Sequence, residues 1–163
     1  MSGRILAVDP GEKRLGIAIS DPTGTIASPL KVLKHVARAA DAAAIAHLAE
    51  DFGALQIVIG WALDDEGLPT PQARHAERLA EAVRAVTVLP VILWDESGST
   101  QAARSARLSM GVSRRKRSGH LDDIAATVIL QSYLESLSYR AIQSGDTPKA
   151  TDGESGPNPT PEA

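Results

Sequence analysis

The sequence predicts an α/β fold, in which a mixed five-stranded sheet combines a three-strand antiparallel meander with parallel strands and is flanked by helices. Two apolar runs, at residues 4–8 and 15–20, enclose a Pro-Gly turn, and a third run begins at 24–27 and extends towards Val32. Strands joined by such short turns are antiparallel. After the meander, helical patterns alternate with short apolar runs, which is typical of parallel strands with helices on the faces of the sheet.

Six further elements follow the meander. The first helix has Ile45, Leu48 and Phe52 at helical spacing and Gly53 as its C-terminal cap. The second begins at Thr70-Pro71, an N-cap hydroxyl with proline in the first turn. The predicted order is helix 37–52, strand 56–60, helix 70–86, strand 91–94, helix 99–110 and helix 121–137.

Length and composition indicate one ordinary globular domain. The chain has 163 residues, 43% of them apolar, which suffices for a sizeable core. The absence of cysteine excludes disulfides, thiolate metal sites and cysteine nucleophiles. No apolar run reaches the roughly 18 residues of a membrane span, and a strand begins almost at the N-terminus without a signal peptide. We therefore expect a cytoplasmic protein with no membrane contact.

The net charge of −3 is unevenly distributed. Residues 141–163 hold four acids and one base, so the charges of residues 1–140 cancel. This segment is rich in Pro, Gly, Ser and Thr and has no apolar periodicity, so it is predicted to be a disordered acidic tail. The folded domain is predicted to span residues 1–140, and a basic patch on it must be judged locally.

Two acids directly follow predicted strands. Asp9 ends the first apolar run, and Glu96 comes just after the strand 91–94. Ligands of open α/β sheets bind beyond the carboxyl ends of strands, so the two carboxylates converge if their strands are neighbours. Asp9 could instead shape the Pro-Gly turn, and Glu96 could be a solvated loop acid.

A third acid opens the last predicted helix. The residues at helical spacing from Asp122 are largely apolar: Ala126, Ile129 and Tyr133. Those at helical spacing from Asp123 are all polar: Thr127, Gln131 and Glu135. Asp122 is therefore predicted to face the sheet and Asp123 to face water. An inward acid is costly without a partner, and a cation shared with Asp9 and Glu96 would offset that cost.

Four consecutive positive charges precede this helix: Arg114, Arg115, Lys116 and Arg117. Alone, such a run is usually a solvated loop. Beside a carboxylate cluster that holds Mg²⁺ or Mn²⁺, it supplies the charge that a phosphodiester backbone needs. Two such ions could activate water and stabilise the leaving oxygen. Lys13 and Arg14, after Asp9, are further candidates for nucleic-acid contacts.

Other chemistries lack their motifs. Residues 11–16 have the G-x-x-x-x-G spacing of a phosphate-binding loop, but Ile17 and Ala18 follow where that loop needs Lys and Ser or Thr. A dinucleotide-binding glycine pattern and the G-x-S-x-G elbow of a serine hydrolase are absent. The four histidines form no metal-spaced pair.

Several blocks of the chain, in order over residues 4–137, resemble the YqgF (RuvX) family of the ribonuclease H-like superfamily, relatives of the RuvC junction resolvases. The blocks are ILAVDPGEKRLGIAISD, TIASPL, IVIG with the later DEG, PVILWDE with ST, SRRKR and LDDIAATVILQSYL. The resemblance implies a ribonuclease H-like fold and a divalent-metal nuclease with Asp9, Glu96 and Asp122 as catalytic and metal-binding acids.

The resemblance also implies a substrate. The family is linked to maturation of the 5′ end of the 16S ribosomal RNA precursor and was earlier proposed to resolve Holliday junctions. We therefore expect a hydrolase that cleaves precursor ribosomal RNA, with branched DNA as the alternative, and a monomer or weak homodimer.

Three departures from the family pattern bear on the substrate. Ser97 and Gly98 stand where the family has Arg and a bulky residue, and the segment after IVIG is 61–64, WALD, instead of Leu-Pro-Leu-Asn. These changes favour a catalytically weak RNA-binding module as a rival, which the intact acids oppose. An actin-like ATPase shares D-x-G after its first strand but needs a second lobe, for which this chain has no room.

Overall fold

A computed structural model describes residues 3–95 and 121–143, with the side chains of 121–123 outside the description. The strands are β1 Arg4–Pro10, β2 Arg14–Ser20, β3 Ala27–Lys34, β4 Ala54–Trp61 and β5 Val91–Asp95. The helices are α1 Arg38–Asp51, α2 Pro71–Arg84 and α3 Leu121–Gln143. The predicted helix 99–110 and the basic run 114–117 lie outside the described residues.

One mixed sheet contains all five strands in the order β3-β2-β1-β4-β5. β1 pairs antiparallel with β2 and β2 with β3, while β1 with β4 and β4 with β5 are parallel. The predicted meander and parallel section are therefore confirmed. The strands that lead to Asp9 and Glu96 are not neighbours, because β4 lies between β1 and β5. Both end at the same edge, which we call the carboxyl edge.

Strand alternation gives the sheet two apolar faces. Leu6 and Val8 of β1 pack with α1 and α2 in one cluster, whereas Ile5 and Ala7 pack with α3 in the other. Successive side chains of a strand point to opposite faces, so odd-numbered positions of β1 face α3. Asp9 therefore belongs to the α3 face.

The helix boundaries follow local signals. Gly53 after α1 has a φ of 65°, a conformation that glycine adopts without strain. The Thr70 hydroxyl accepts the amide of Ala73 at 3.1 Å and caps α2, as predicted. Val86, the last residue of the predicted helix 70–86, lies beyond the observed end at Arg84 and is 54% exposed. α3 continues to Gln143, six residues past its predicted end.

Among residues 3–95 and 121–143, no helix combines the length and apolar character needed to cross a bilayer.

Candidate active site at the carboxyl edge

Asp9 lies within the strand ladder, one residue before the end of β1. Its direct partner on β2 is Gly16. On the other side, Val8 pairs with Ile59 of β4, so the next position beside Asp9 is Gly60. Both strands that flank Asp9 thus present a glycine. These two glycines place no side chain directly beside the Asp9 carboxylate, and Asp9 with its flanking glycines is the centre of the candidate site.

The turn after Asp9 is closed by a hydrogen bond between main-chain groups. The amide of Gly11 donates to the carbonyl of Arg14 at 3.0 Å. A Cβ at Gly11 would lie 2.4 Å from that same oxygen, so the turn requires glycine. The main-chain closure and the position of Asp9 in the ladder favour the strand-end interpretation of Asp9 over the turn-shaping one.

Two other aspartates do shape turns. The Asp21 carboxylate accepts the amides of Thr25 and Ile26, each at 2.8 Å, and also the amide and hydroxyl of Thr23. These hydrogen bonds, from Ile26 above all, hold the pKa of Asp21 well below its usual range. The Asp64 carboxylate accepts the amides of Glu66 at 2.9 Å and Leu68 at 2.8 Å. The aspartate that replaces the family's asparagine therefore organises its own loop.

A small cleft adjoins Asp9 on the β4 side. Its lining consists of Asp9, Pro10, Gly60, Trp61, Ala62 and Gln72. Gln72 lies in the first turn of α2. This turn is held beside the end of β4 because the Thr70 hydroxyl donates to the carbonyl of Ala62 at 2.8 Å. Sequence reasoning missed Gly60 and Gln72, since only strand pairing and the position of α2 bring them to Asp9.

The end of β5 reaches the same edge. Gly60 pairs with Trp94 and Trp61 with Asp95, so the last described residue of β5 lies slightly beyond the level of Asp9. Two strand spacings, about 10 Å, separate β1 from β5. The predicted site residue Glu96 follows Asp95 directly in the sequence and lies outside the described residues.

The two sides of α3 contact different parts of the sheet. Tyr133 lies on the β4–β5 side, where its hydroxyl oxygen accepts a hydrogen bond from Nε2 of Gln56 at 2.9 Å and its ring contacts Trp94. Gln131 lies on the β3 side and bonds the amide of Ala27 at 3.0 Å and the carbonyl of Thr25 at 3.2 Å. One side of α3, with Tyr133, therefore contacts β4 and β5, and another side, with Gln131, contacts β3.

Helical geometry relates these sides to positions 122 and 123. Position 122 is within about 20° of Ile129 and Tyr133 around the helix axis, and position 123 is within about 20° of Leu130 and Leu134. All four of these residues are buried. The polar stripe that predicts a solvent-facing Asp123 is only partly exposed, because Thr127 and Gln131 are half-buried. Position 122 thus has the helical phase of Tyr133, which contacts β4 and β5, and the side chains of Asp122 and Asp123 lie outside the described residues.

Positive charge gathers beside the site. Lys13 and Arg14 line a surface cleft at the carboxyl edge together with Glu12, Val32, Lys34 and His35. Lys34 was not among the predicted site residues, since its proximity to Arg14 depends on the pairing of β2 with β3. The other predicted bases, Arg114, Arg115, Lys116 and Arg117, lie outside the described residues.

The described residues alone contain no group of three His, Cys, Asp or Glu side chains arranged to hold a metal ion. Asp9 is the one predicted metal-binding acid whose side chain is described. Its chemistry suits hard divalent cations, which prefer carboxylate oxygens.

Comparison with known proteins places these features in a family. The family model described as "RuvX: Holliday junction resolvase" matches residues 3–136. A Geobacillus kaustophilus protein named "Putative pre-16S rRNA nuclease" is 39% identical over 135 residues, covering 82% of this chain and 98% of its own length. A Roseiflexus protein of the same name is 34% identical over 134 residues, covering 82% and 95%.

A solved structure shares the architecture. Thermus thermophilus RuvC in complex with Holliday junction substrate superposes with a TM-score of 0.57 at 17% identity, covering 84% of this chain and 96% of that one. This likeness confirms the ribonuclease H-like fold implied by the sequence resemblance. Because the family model spans most of the sequence and the relatives match nearly end to end, the chain belongs to the RuvX family of nucleases, enzymes that hydrolyse phosphodiester bonds.

Proposed function

We propose that the chain is a divalent-metal-dependent nuclease that processes the 5′ end of the 16S ribosomal RNA precursor in the cytoplasm. The single observation that carries this proposal is the placement of Asp9 between Gly16 and Gly60 on the α3 face of the carboxyl edge. Glycine on both flanking strands puts no sheet side chain directly beside this carboxylate, and carboxylate oxygens are the ligands that hard divalent cations prefer.

Asp9, Glu96 and Asp122 are the proposed metal-binding and catalytic acids. Asp9 provides an oxygen ligand from β1, and Glu96 follows the strand that ends at the same edge. Position 122 lies in the first turn of α3 and has the helical phase of Tyr133, which contacts β4 and β5. This phase supports Asp122 over Asp123 as the third ligand. Bound Mg²⁺ or Mn²⁺ would polarise the phosphate and lower the pKa of a water molecule. Two strand spacings between β1 and β5 favour a pair of ions over a single one.

The protein's own groups would then orient the substrate. Lys13 and Arg14 lie in and directly after the turn that follows Asp9, where their charges attract the phosphates next to the scissile one. The basic run 114–117 precedes α3 and is proposed to contact the same backbone. These contacts fix register and strengthen binding without reading base sequence.

Precursor ribosomal RNA is the preferred substrate because the curated relatives at 34% and 39% identity carry that name. Branched DNA is the second candidate, since the matching family model is described as a Holliday junction resolvase. The two substrates share phosphodiester chemistry, and the described residues do not include a feature that selects ribose over deoxyribose.

The deciding experiment offers purified protein a transcript spanning the 5′ end of precursor 16S RNA and a four-way DNA junction of matched length, side by side. Each reaction is run with Mg²⁺, with Mn²⁺ and with excess EDTA. Cleavage of the RNA at one position, abolished by EDTA and restored by either ion, supports the proposal. Junction cleavage with intact RNA would establish the second candidate, and full activity in EDTA would overturn the metal-dependent mechanism.

A further inference from the structure

Arg14 and Lys34 are directly opposed in the antiparallel pairing of β2 with β3. Their side chains therefore share one face of the sheet. Like charges in this arrangement destabilise a strand pair. Folding alone gives no reason for the pair, so a role in binding an anion accounts for it better.

Within the described part of the chain, no ion pair neutralises the charges of Arg14 and Lys34. The ion pairs among residues 3–95 and 124–143 join His35 to Asp41 and His47 to Asp51, and neither includes Arg14 or Lys34. Among the described residues, Glu12 is the one acid that lines the same cleft, against Lys13, Arg14 and Lys34. The cleft thus has an excess of positive charge that is available to a ligand.

The pair lies on the same face as Asp9. Asp9 is opposite Gly16 on β2, and Gly16 is opposite Val32 on β3. Arg14 lies two residues nearer the carboxyl edge than Gly16, and Lys34 lies two residues nearer that edge than Val32. Lys34 is therefore two strand spacings, about 10 Å, across the sheet from the line of Asp9. A nucleic-acid strand with a phosphate at Asp9 would bring other phosphates over Arg14 and then Lys34.

The end of β3 is held in place by contacts on the other face. The amide of His35 donates to the carbonyl of Lys13 at 2.9 Å, and Nδ1 of His35 is hydrogen bonded to the buried Asp41 carboxylate. These contacts fix the backbone next to Lys34, so the lysine projects from a rigid position.

We infer that Lys34 and Arg14 form a phosphate-binding pair that guides the substrate strand from Asp9 across β2 towards the β3 edge. The inference rests on the proposed nuclease function and extends its binding surface to a strand that the predicted site did not include. Lys34 acts as a binding residue and takes no part in the chemistry at Asp9.

The test measures binding of a fluorescently labelled precursor 16S transcript in the full chain carrying Asp9→Asn, which keeps the RNA intact. Lys34→Ala is compared with Lys31→Ala over a series of salt concentrations. Lys31 is exposed on the same strand but pairs with Ile17, whose side chain packs on the opposite face. It therefore controls for loss of one positive charge at the same sheet edge.

We expect Lys34→Ala to weaken binding and to reduce the slope of log K against log salt by about 0.7–0.9, the value of one phosphate contact. Lys31→Ala should leave the slope unchanged. Melting temperatures should show that Lys34→Ala is as stable as the parent or more stable, because repulsion from Arg14 is relieved. Equal slopes for the two lysine variants would overturn the inference.

The outcomes also separate this inference from the proposed function. If the unmodified chain cleaves the transcript but Lys34→Ala binds like the parent, the inference fails and the nuclease assignment stands. If the unmodified chain neither binds nor cleaves the transcript, both fail.

Discussion

Asp9 lies directly opposite Gly16 in the antiparallel ladder of β1 and β2. The carboxylate is thereby held on a strand whose facing residue adds no side chain beside it, an arrangement that suits a metal-binding acid. We predict that Asp9→Asn lowers cleavage by at least about 100-fold, beyond the 10–100-fold typical of groups that only support a metal ligand. The melting temperature should hold or rise, because one charge is removed from a group of acids. Single-turnover cleavage and thermal melts measure both effects.

Asp64→Asn is the matched control for this change. Asp64 is an exposed acid that bonds the amides of its own loop, and asparagine can still accept those hydrogen bonds. Its activity should stay near that of the parent chain. An equal loss in both variants would mean that Asp9 has no special role.

Asp122 and Asp123 should differ although they are adjacent. Position 122 has the helical phase of Tyr133, which contacts β4 and β5. Position 123 is at helical spacing from Thr127 and Gln131, and Gln131 contacts the start of β3. Asp122→Asn is therefore expected to abolish most cleavage, while Asp123→Asn retains most of it. Circular dichroism and melting curves should be unchanged in both. An inactive Asp123→Asn beside an active Asp122→Asn would require the site to be rebuilt around position 123.

Two His–Asp pairs involve α1, one through the buried Asp41 and one through the exposed Asp51, and they allow a direct comparison. Asp41 is 4% exposed and accepts from His35 and from the amide of Val36 at 3.2 Å. Asp51 is exposed and lies 3.5 Å from Nε2 of His47. Asp41→Ala should lower the free energy of unfolding by about 1–3 kcal/mol, because its donors lose their acceptor. Asp51→Ala should change it by less than about 1 kcal/mol. Urea titrations of both variants test the difference.

The turn at Asp21 should give stability that depends on pH. Hydrogen bonds from Ile26, Thr23 and Thr25 lower the pKa of Asp21 in the folded state. Because a depressed folded pKa favours the folded chain when the group is ionised, this contribution is present above the unfolded pKa of about 3.9 and is lost as the pH falls further. The melting-temperature difference between the parent and Asp21→Ala should therefore shrink below about pH 4. A difference that stays constant down to about pH 2 would contradict this prediction.

The predicted acidic tail is testable by truncation. Removing residues 144–163 leaves α3 complete, since this helix ends at Gln143. The segment has no apolar periodicity with which to pack, so the melting temperature should stay within about 2 °C of the parent value. A clear drop would show that the segment contributes to the fold.

The fold was largely predictable because its signals are local. The Pro-Gly turn separates two strands, the Thr70 cap begins α2 and Gly53 ends α1. Short apolar runs indicated the strands. Strand order is not local, so the position of β4 between β1 and β5 could not be read from either strand. For the site, the sequence singled out Asp9 but not the glycines beside it or Lys34, since these become neighbours only through pairing register. Glu96 and Asp122 stay predictions.

The outer edge of β3 has a consequence for how the molecule behaves at high concentration. An edge strand with free main-chain groups can recruit a strand from another molecule. Here the side-chain amide of Gln131 bonds both the amide of Ala27 and the carbonyl of Thr25, so it imitates a neighbouring strand where β3 begins. Pro29 lacks an amide hydrogen, and the exposed Lys31 and Lys34 repel a second copy of the same edge. This side of the sheet is thus protected against intermolecular strand addition and aggregation.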